Sequence, residues 1–327
     1  MKSKRNINTK EICDQIKKGN ITALSKAITL SESNIDSDQE LANKILGKLK
    51  TKNNDSIRIG VTGVPGAGKS TFIESFGNHI TNLGLKLAVL TIDPSSSVTK
   101  GSILGDKTRM ETLSANKNVF IRPSPASNFQ GGVGKNTRES IFLCESAGYD
   151  IILIETVGVG QNEISVAEMV DFFLLLKISG SGDELQGIKR GIIEMSDLIA
   201  INKCDGDNVK DSIKAKNEFK LALQLFPKKK SNWKPQVLTC SSITGEGLAK
   251  IWDCINNYVN LTKKNNYFYE NRINQNKSWL LQIIDYSLRK SFFNRKSIKI
   301  KLNNLIKKIE EQKISIFEAS RKILSEI

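Results

Sequence analysis

Residues 57–71 read IRIGVTGVPGAGKST, and this stretch decides the fold. Ile57, Ile59 and Val61 recur at every second position, the pattern of a short strand. Gly63, Val64, Pro65, Gly66, Ala67, Gly68, Lys69 and Ser70 then match G-x-x-x-x-G-K-S/T at every fixed position. Thr71 leads into residues 72–80, which read as the following helix. The spacing has a physical reason. Glycines let the backbone turn so that successive N–H groups face an anion, and the helix N-terminus adds partial positive charge. Lys69 can reach the β- and γ-phosphates, and the Ser70 hydroxyl can ligand Mg²⁺. A Gly-rich turn between strand and helix is the plain alternative, but a full match in strand–loop–helix context points to a nucleoside triphosphate.

Outward from this loop, composition sets the bounds. With 327 residues the chain holds one large domain or two modest ones. The net charge of +15 invites a nucleic-acid reading, so its placement matters. Residues 1–56 carry 11 basic and 7 acidic side chains, 57–260 carry 23 and 21, and 261–327 carry 15 and 6. The nucleotide-binding part is therefore near neutral, and the basic ends read as solvated helix faces with no nucleic acid expected. Cys13, Cys144, Cys204, Cys240 and Cys254 are scattered without a C-x-x-C pair, against a disulfide framework or zinc site and in keeping with a reducing cytoplasm. No apolar run approaches the ~18 residues a membrane span needs, and no secretory signal is expected.

The remaining boxes follow in order. Residues 1–56 show apolar spacings of three and four, predicting short helices with nothing catalytic in them. Residues 85–92 form a second apolar strand ending at Asp93, where a carboxylate could approach magnesium. The polar segment 95–110 is too long for a simple turn and contains Asp106, either a second metal-shell ligand or an N-cap for a helix over 107–113. A short strand over 119–122, a mobile loop over 123–137 and a helix over 137–147 come next. Residues 150–158, DIILIETVG, deliver the carboxylate of Glu155 and then Gly158. This layout places an acid near Mg²⁺ and a backbone N–H near the γ-phosphate. Glu155 stands where D-x-x-G has Asp, and Val159 stands where many small GTPases carry a water-orienting Gln. Strands over 171–177 and 198–201 follow, with a helix over 192–197 between them. The second strand leads to Asn202, Lys203, Cys204 and Asp205, a match to N-K-x-D. The Asp205 carboxylate would accept from guanine N1–H and its 2-amino group, neither of which adenine presents. After a helix over 208–225 and a strand over 237–239, Ser241, Ser242 and Ile243 open SSITGEGL, which resembles the S-A-x-x-G-x-G guanine-capping loop. Residues 228–235 form a basic, tryptophan-bearing surface loop, and 279–293 and 298–327 read as amphipathic helices.

With these residues in hand, the chain resembles the methylmalonyl-CoA mutase-associated GTPases, in the signal-recognition-particle-like class of P-loop proteins. The specific stretches are DPSS (93–96), GSILGDKTRM (101–110), IRPSP (121–125), ETVGVGQNE (155–163), GDELQGIKRGI (182–192) and NKCDGDN (202–208). The resemblance implies an α/β P-loop GTPase domain over 57–260, its mostly parallel sheet flanked by helices. It implies a helical N-terminal extension over 1–56 and a helical C-terminal dimerisation region over 261–327. GTP and GDP with Mg²⁺ would be the ligands, with Lys69 and Ser70 holding phosphate and metal. Asp93, Asp106 and Glu155 would be the metal-shell carboxylates, and segments 95–110, 155–163 and 179–189 the switches. The partner implied is an adenosylcobalamin-dependent methylmalonyl-CoA mutase, whose cofactor loading a homodimeric GTPase would gate and whose inactivation it would prevent or reverse. Another cobalamin-dependent acyl-CoA mutase, nickel delivery and an RNA-associated GTPase are the alternatives. One histidine and dispersed cysteines speak against nickel, and the absence of an RNA-binding motif speaks against RNA.

Overall fold

The computed structural model describes residues 8–50, 55–93, 110–125, 132–156, 162–180 and 190–326. Seven strands form one parallel sheet among them: β1 (Ile57–Gly63), β2 (Leu87–Asp93), β3 (Val119–Pro125), β4 (Ile151–Thr156), β5 (Phe172–Ile178), β6 (Leu198–Asn202) and β7 (Gln236–Thr239). Their order is β3-β2-β4-β1-β5-β6-β7. β1 is central, pairing Val61 with Glu155 of β4 on one side and with Leu174 of β5 on the other. The chain leaves β1 toward one edge, returns through β4 and then crosses to the other side. That change of direction opens a crevice at the carboxyl end of β1, the general location of ligands in such sheets.

Helices α1 (Thr9–Lys17), α2 (Ile21–Glu32) and α3 (Asp36–Lys48) precede the sheet. Between strands lie α4 (Lys69–Asn82), the single turn α5 (Glu111–Ser114), α6 (Gly132–Ala147), α7 (Asn162–Ala167), α8 (Arg190–Met195) and α9 (Val209–Leu223). After β7 come α10 (Leu248–Lys264), α11 (Tyr267–Asn294), α12 (Lys296–Glu310) and α13 (Ile316–Leu324). Both sheet faces are covered, which is why β4 is buried at every position and reads as an unbroken apolar run. On one face Ile59 and Val61 meet Phe72 and Phe76 of α4 and Ile251 and Ile255 of α10. On the other, Ile152 and Ile154 belong to a core shared with α6 and with Ile16, Leu24, Ile28 and Ile45 of the three leading helices. No described helix is long and apolar enough to cross a membrane.

Several predicted boundaries shift, each for a local reason. The helix expected over 72–80 begins at Lys69, because Gly68 at φ +84° turns the chain directly into it. The strand expected from 85 begins at Leu87, after Gly84 at φ +83° has ended α4 and the Asp150 carboxylate has accepted the Lys86 N–H at 2.9 Å. β3 runs on through two prolines. Leu87 donates to Asn118, so the odd residues of this edge strand turn their N–H positions away from β2, and Pro123 and Pro125 lack only bonds the edge never makes. The helix expected over 192–197 stops at Met195, and Asp197 instead accepts the Phe173 N–H at 2.9 Å. The basic loop at 228–235 is tied inward. Lys229 Nζ lies 2.6 Å from Asp197 Oδ1, and the Trp233 indole donates to the Asp197 carbonyl at 2.9 Å.

Two buried ion pairs fasten the amino edge of the sheet. Arg58 meets Glu145 at 2.8 Å, and Arg272 meets Asp171 at 2.6 Å while its guanidinium lies 4.4 Å above the Phe268 ring. Asp171 also accepts the Arg58 backbone N–H at 2.8 Å, joining the two pairs. The chain divides into compact units at residues 1–273 and 274–327, so that α11 begins in the first and ends in the second. In the second unit, Ile298 and Leu305 of α12 pack with Ala319 and Ile323 of α13. A single helix expected over 298–327 is thus two, parted by Glu311–Ser315 with Gln312 at φ +54°.

Glu139 on α6 shows the cost of a buried acid. Burial lifts its carboxyl from the ordinary 4.5 to about 7, against the opposing pull of Lys135 at 3.8 Å. An acid with a raised folded-state pKa binds more protons folded than unfolded between these values. Its penalty is therefore absent below pH 4.5 and grows as the pH rises through 7. Glu139→Gln should stabilise the protein by about 2 to 3 kcal/mol at pH 8.5 and by little at pH 4.5, read from denaturant unfolding at both. Equal effects at the two pH values would refute this.

Candidate functional site

The loop between β1 and α4 is a cradle shaped by close approaches. A Cβ on Gly63 would lie 2.3 Å from the Leu176 carbonyl oxygen, and one on Gly68 would lie 2.8 Å from Asn202 Nδ2. Gly66 and Gly68 hold φ of +83° and +84°, a region that favours glycine. Pro65 and Gly66 at the crest are exposed, while Ala67 is buried beneath them. Lys69 bends back over the loop, its Nζ donating to the Gly63 carbonyl at 2.8 Å and the Val64 carbonyl at 3.3 Å. Burial pushes this ammonium below its ordinary value, opposed by the nearby carboxylates of Glu155 and Glu163. A cation whose hydrogen bonds, among the described residues, go to carbonyl dipoles could exchange them for phosphate oxygens.

Beside it, Ser70 Oγ donates to Glu155 Oε1 at 3.3 Å. Glu155 is buried on β4, next to β1. Hard oxygen donors at this spacing suit a magnesium ion. Asp93 ends β2, its backbone paired with Pro125. Asp106, most of the 95–110 segment, Gly158, Val159 and residues 181–189 lie outside the described residues. Thr71 is exposed on the first turn of α4. The sequence reading did not single out Glu163, nor the hydroxyls of Thr62 and Thr156, which pair at 2.8 Å between β1 and β4. The 155–163 stretch contains Thr156 and Glu163 but gives neither a role; only the packing of α7 and the strand register point to one.

The N-K-x-D residues divide their work. Asn202 points inward: its Nδ2 donates to the Ala67 carbonyl at 2.9 Å, and its Oδ1 accepts the Ser242 N–H at 3.1 Å and the Ser242 hydroxyl at 2.8 Å. Lys203 sits at φ +58°, and its carbonyl accepts from Asn208 Nδ2 at 2.7 Å, which fixes the turn. Asp205 accepts the Ser241 hydroxyl through Oδ2. Ser241 Oγ in turn accepts the Ile243 and Thr244 N–H groups at 3.3 and 3.1 Å, so one serine organises the capping loop. Ile243 is exposed on that loop, and Ser242 is anchored to α4 by the Ser75 hydroxyl at 2.5 Å. The structure thus brings the phosphate cradle, the Ser70–Glu155 oxygens and the Asp205 loop to one edge of the sheet.

Comparison with known proteins places this arrangement. The family model described as methylmalonyl Co-A mutase-associated GTPase MeaB matches residues 24–297. A relative from Escherichia coli (strain K12), "GTPase ArgK", is 45% identical over 266 residues, covering 81% of this chain and 80% of the relative. A Mus musculus relative, "Methylmalonic aciduria type A homolog, mitochondrial", is 43% identical over 302 residues, covering 89% and 73%. A crystal structure of a "LAO/AO transport system kinase" superposes with a TM-score of 0.75 at 33% identity, covering 98% of each chain.

Proposed function

The chain belongs to the methylmalonyl-CoA mutase-associated GTPase family and hydrolyses GTP, and from that premise we propose that it serves an adenosylcobalamin-dependent mutase, methylmalonyl-CoA mutase first among them. It gates cofactor loading and protects or reactivates that enzyme. The observation that carries this reading is the reach of the family match, which runs from α2 to α12 and so takes in far more than a generic phosphate loop.

In this reading the β- and γ-phosphates draw the Lys69 ammonium off the Gly63 and Val64 carbonyls, and loop N–H groups complete the cradle. Ser70 and Glu155 hold Mg²⁺, with Asp93 and Asp106 as further carboxylates of the same shell. When bound, the ion neutralises charge on the phosphate oxygens. Asp205 reads the guanine edge, while Ser241, Ser242 and Ile243 cap the base. The chain works as a homodimer. Large apolar side chains exposed on all three helices of the 274–327 unit (Leu280, Leu281, Leu288, Ile300, Ile316 and Phe317) support this, since a second copy could cover them. Five free cysteines support work in a reducing compartment such as the cytoplasm.

The test is coupling. GTP turnover should be slow alone and rise about tenfold when the mutase is added, the scale of an ordinary allosteric coupling. Equal rates with and without mutase, measured as phosphate release, would sink the partner assignment.

A further inference from the structure

Glu163 begins the body of α7, just after Asn162, and is only 4% exposed. Among the described residues its Oε2 is buried without a hydrogen-bond partner. A carboxylate oxygen stripped of water costs several kcal/mol, so native proteins rarely leave one unpaired without a use for it.

Packing shows where this oxygen is. Val166 lies over β1, since a Cβ built on Gly60 would stand 3.0 Å from Val166 Cγ1. Residues three apart share a helix face, so Glu163 projects on the same face one turn nearer the helix start. That start follows the carboxyl end of β4. A turn of helix rises ~5 Å and a strand ~3.3 Å per residue, which brings Glu163 level with Val61 and Thr62, just below the first glycine of the cradle. The influence of its charge on Lys69 agrees with that placement.

The group that satisfies Oε2 must be a donor or a cation. In the proposed reading the Mg²⁺ shell already takes its carboxylates from Glu155, Asp93 and Asp106, which leaves a donor. Phosphate oxygens are excluded because they carry the same sign of charge. Val159, beside Gly158, offers no polar head to a water molecule. We propose that Glu163 orients the water that attacks the γ-phosphate, accepting one of its hydrogens at Oε2. The water oxygen bonds to the γ-phosphorus as the bond to the β–γ bridging oxygen breaks. The bridging oxygen leaves with the electron pair on GDP, and both protons of the water stay with the released phosphate. Glu163 gains no proton in the net step. The assignment rests on GTP hydrolysis alone, so it stands or falls separately from the mutase reading.

Single-turnover cleavage by the full chain without any partner tests it. Glu163→Met keeps the length of the side chain and removes both oxygens. It should slow cleavage about 100-fold, the usual cost of a misplaced reactant, with KM and GDP affinity unchanged. Glu163→Gln, whose carbonyl still accepts but is uncharged, should lose about tenfold in kcat, again at constant KM. A residue that only props α7 would shift the unfolding midpoint and leave kcat alone. Wild-type kcat in either variant, or a loss of GDP affinity matching the loss of rate, overturns the assignment. Should Glu163→Met fail to fold, the kcat and KM of Glu163→Gln decide it alone.

Discussion

Lys69→Ala should lower single-turnover GTP hydrolysis about 1000-fold, the scale on which removal of a preorganised donor acts at a developing charge. The lysine is half-committed before any nucleotide arrives. Its ammonium sits on two backbone carbonyls at the rim of the cradle, 2.8 and 3.3 Å away, and the side chain is largely buried. Swapping neutral carbonyls for anionic phosphate oxygens strengthens each bond without a new search for geometry. Alanine removes the donor and leaves the Gly63 carbonyl without this partner. Affinity for GTP should suffer more than affinity for GDP, because the lysine reaches toward the terminal phosphate. Phosphate release in a quenched single turnover measures the first effect and competition against a fluorescent GDP the second. A rate within tenfold of wild type would remove Lys69 from the machinery.

The second large effect concerns the base. Asp205→Asn should weaken GDP binding about 1000-fold and tighten xanthosine diphosphate binding, since a site built to pair donors rejects a ligand that leaves its groups unmatched. The amide oxygen can still accept the Ser241 hydroxyl, so the capping turn survives the change. Its NH₂ then confronts the guanine 2-amino group, donor against donor, whereas the 2-oxo group of xanthine accepts it. Displacement titrations with both diphosphates separate this inversion from a general loss of fold. Parallel weakening of both would show that Asp205 only braces the loop.

What could be read from the sequence was the chemistry whose parts are contiguous. The run from Ile57 to Ser70 carries its strand, turn and helix start within one stretch, and Asp205 follows its strand directly. Glu163 is the opposite case: its position depends on Val166 lying over Gly60, a contact across more than a hundred residues. The inward direction of Asn202 was equally hidden, because N-K-x-D specifies residue types and not which of them turns toward Ala67. At the C-terminal end, α11 begins at Tyr267, well ahead of the apolar spacing from Trp279. Residues 270–278 are largely polar, so no stripe announces that stretch of helix. The seven-strand parallel sheet itself was legible as a class from its unbroken apolar strands, while its order depended on crossovers that no local pattern records.

One side chain gives the site a property beyond recognition. The Asn202 amide spends its Nδ2 on the 63–70 loop through Ala67 and its Oδ1 on the 241–247 loop through Ser242. Neither loop can breathe away from the sheet without breaking bonds to the same five atoms of amide. Excursions at the two ends of the ligand therefore belong to one cooperative opening, with a common free energy, rather than to two independent flickers. A nucleotide held by both loops, as proposed above, would then be expected to leave through a single event that loosens them together.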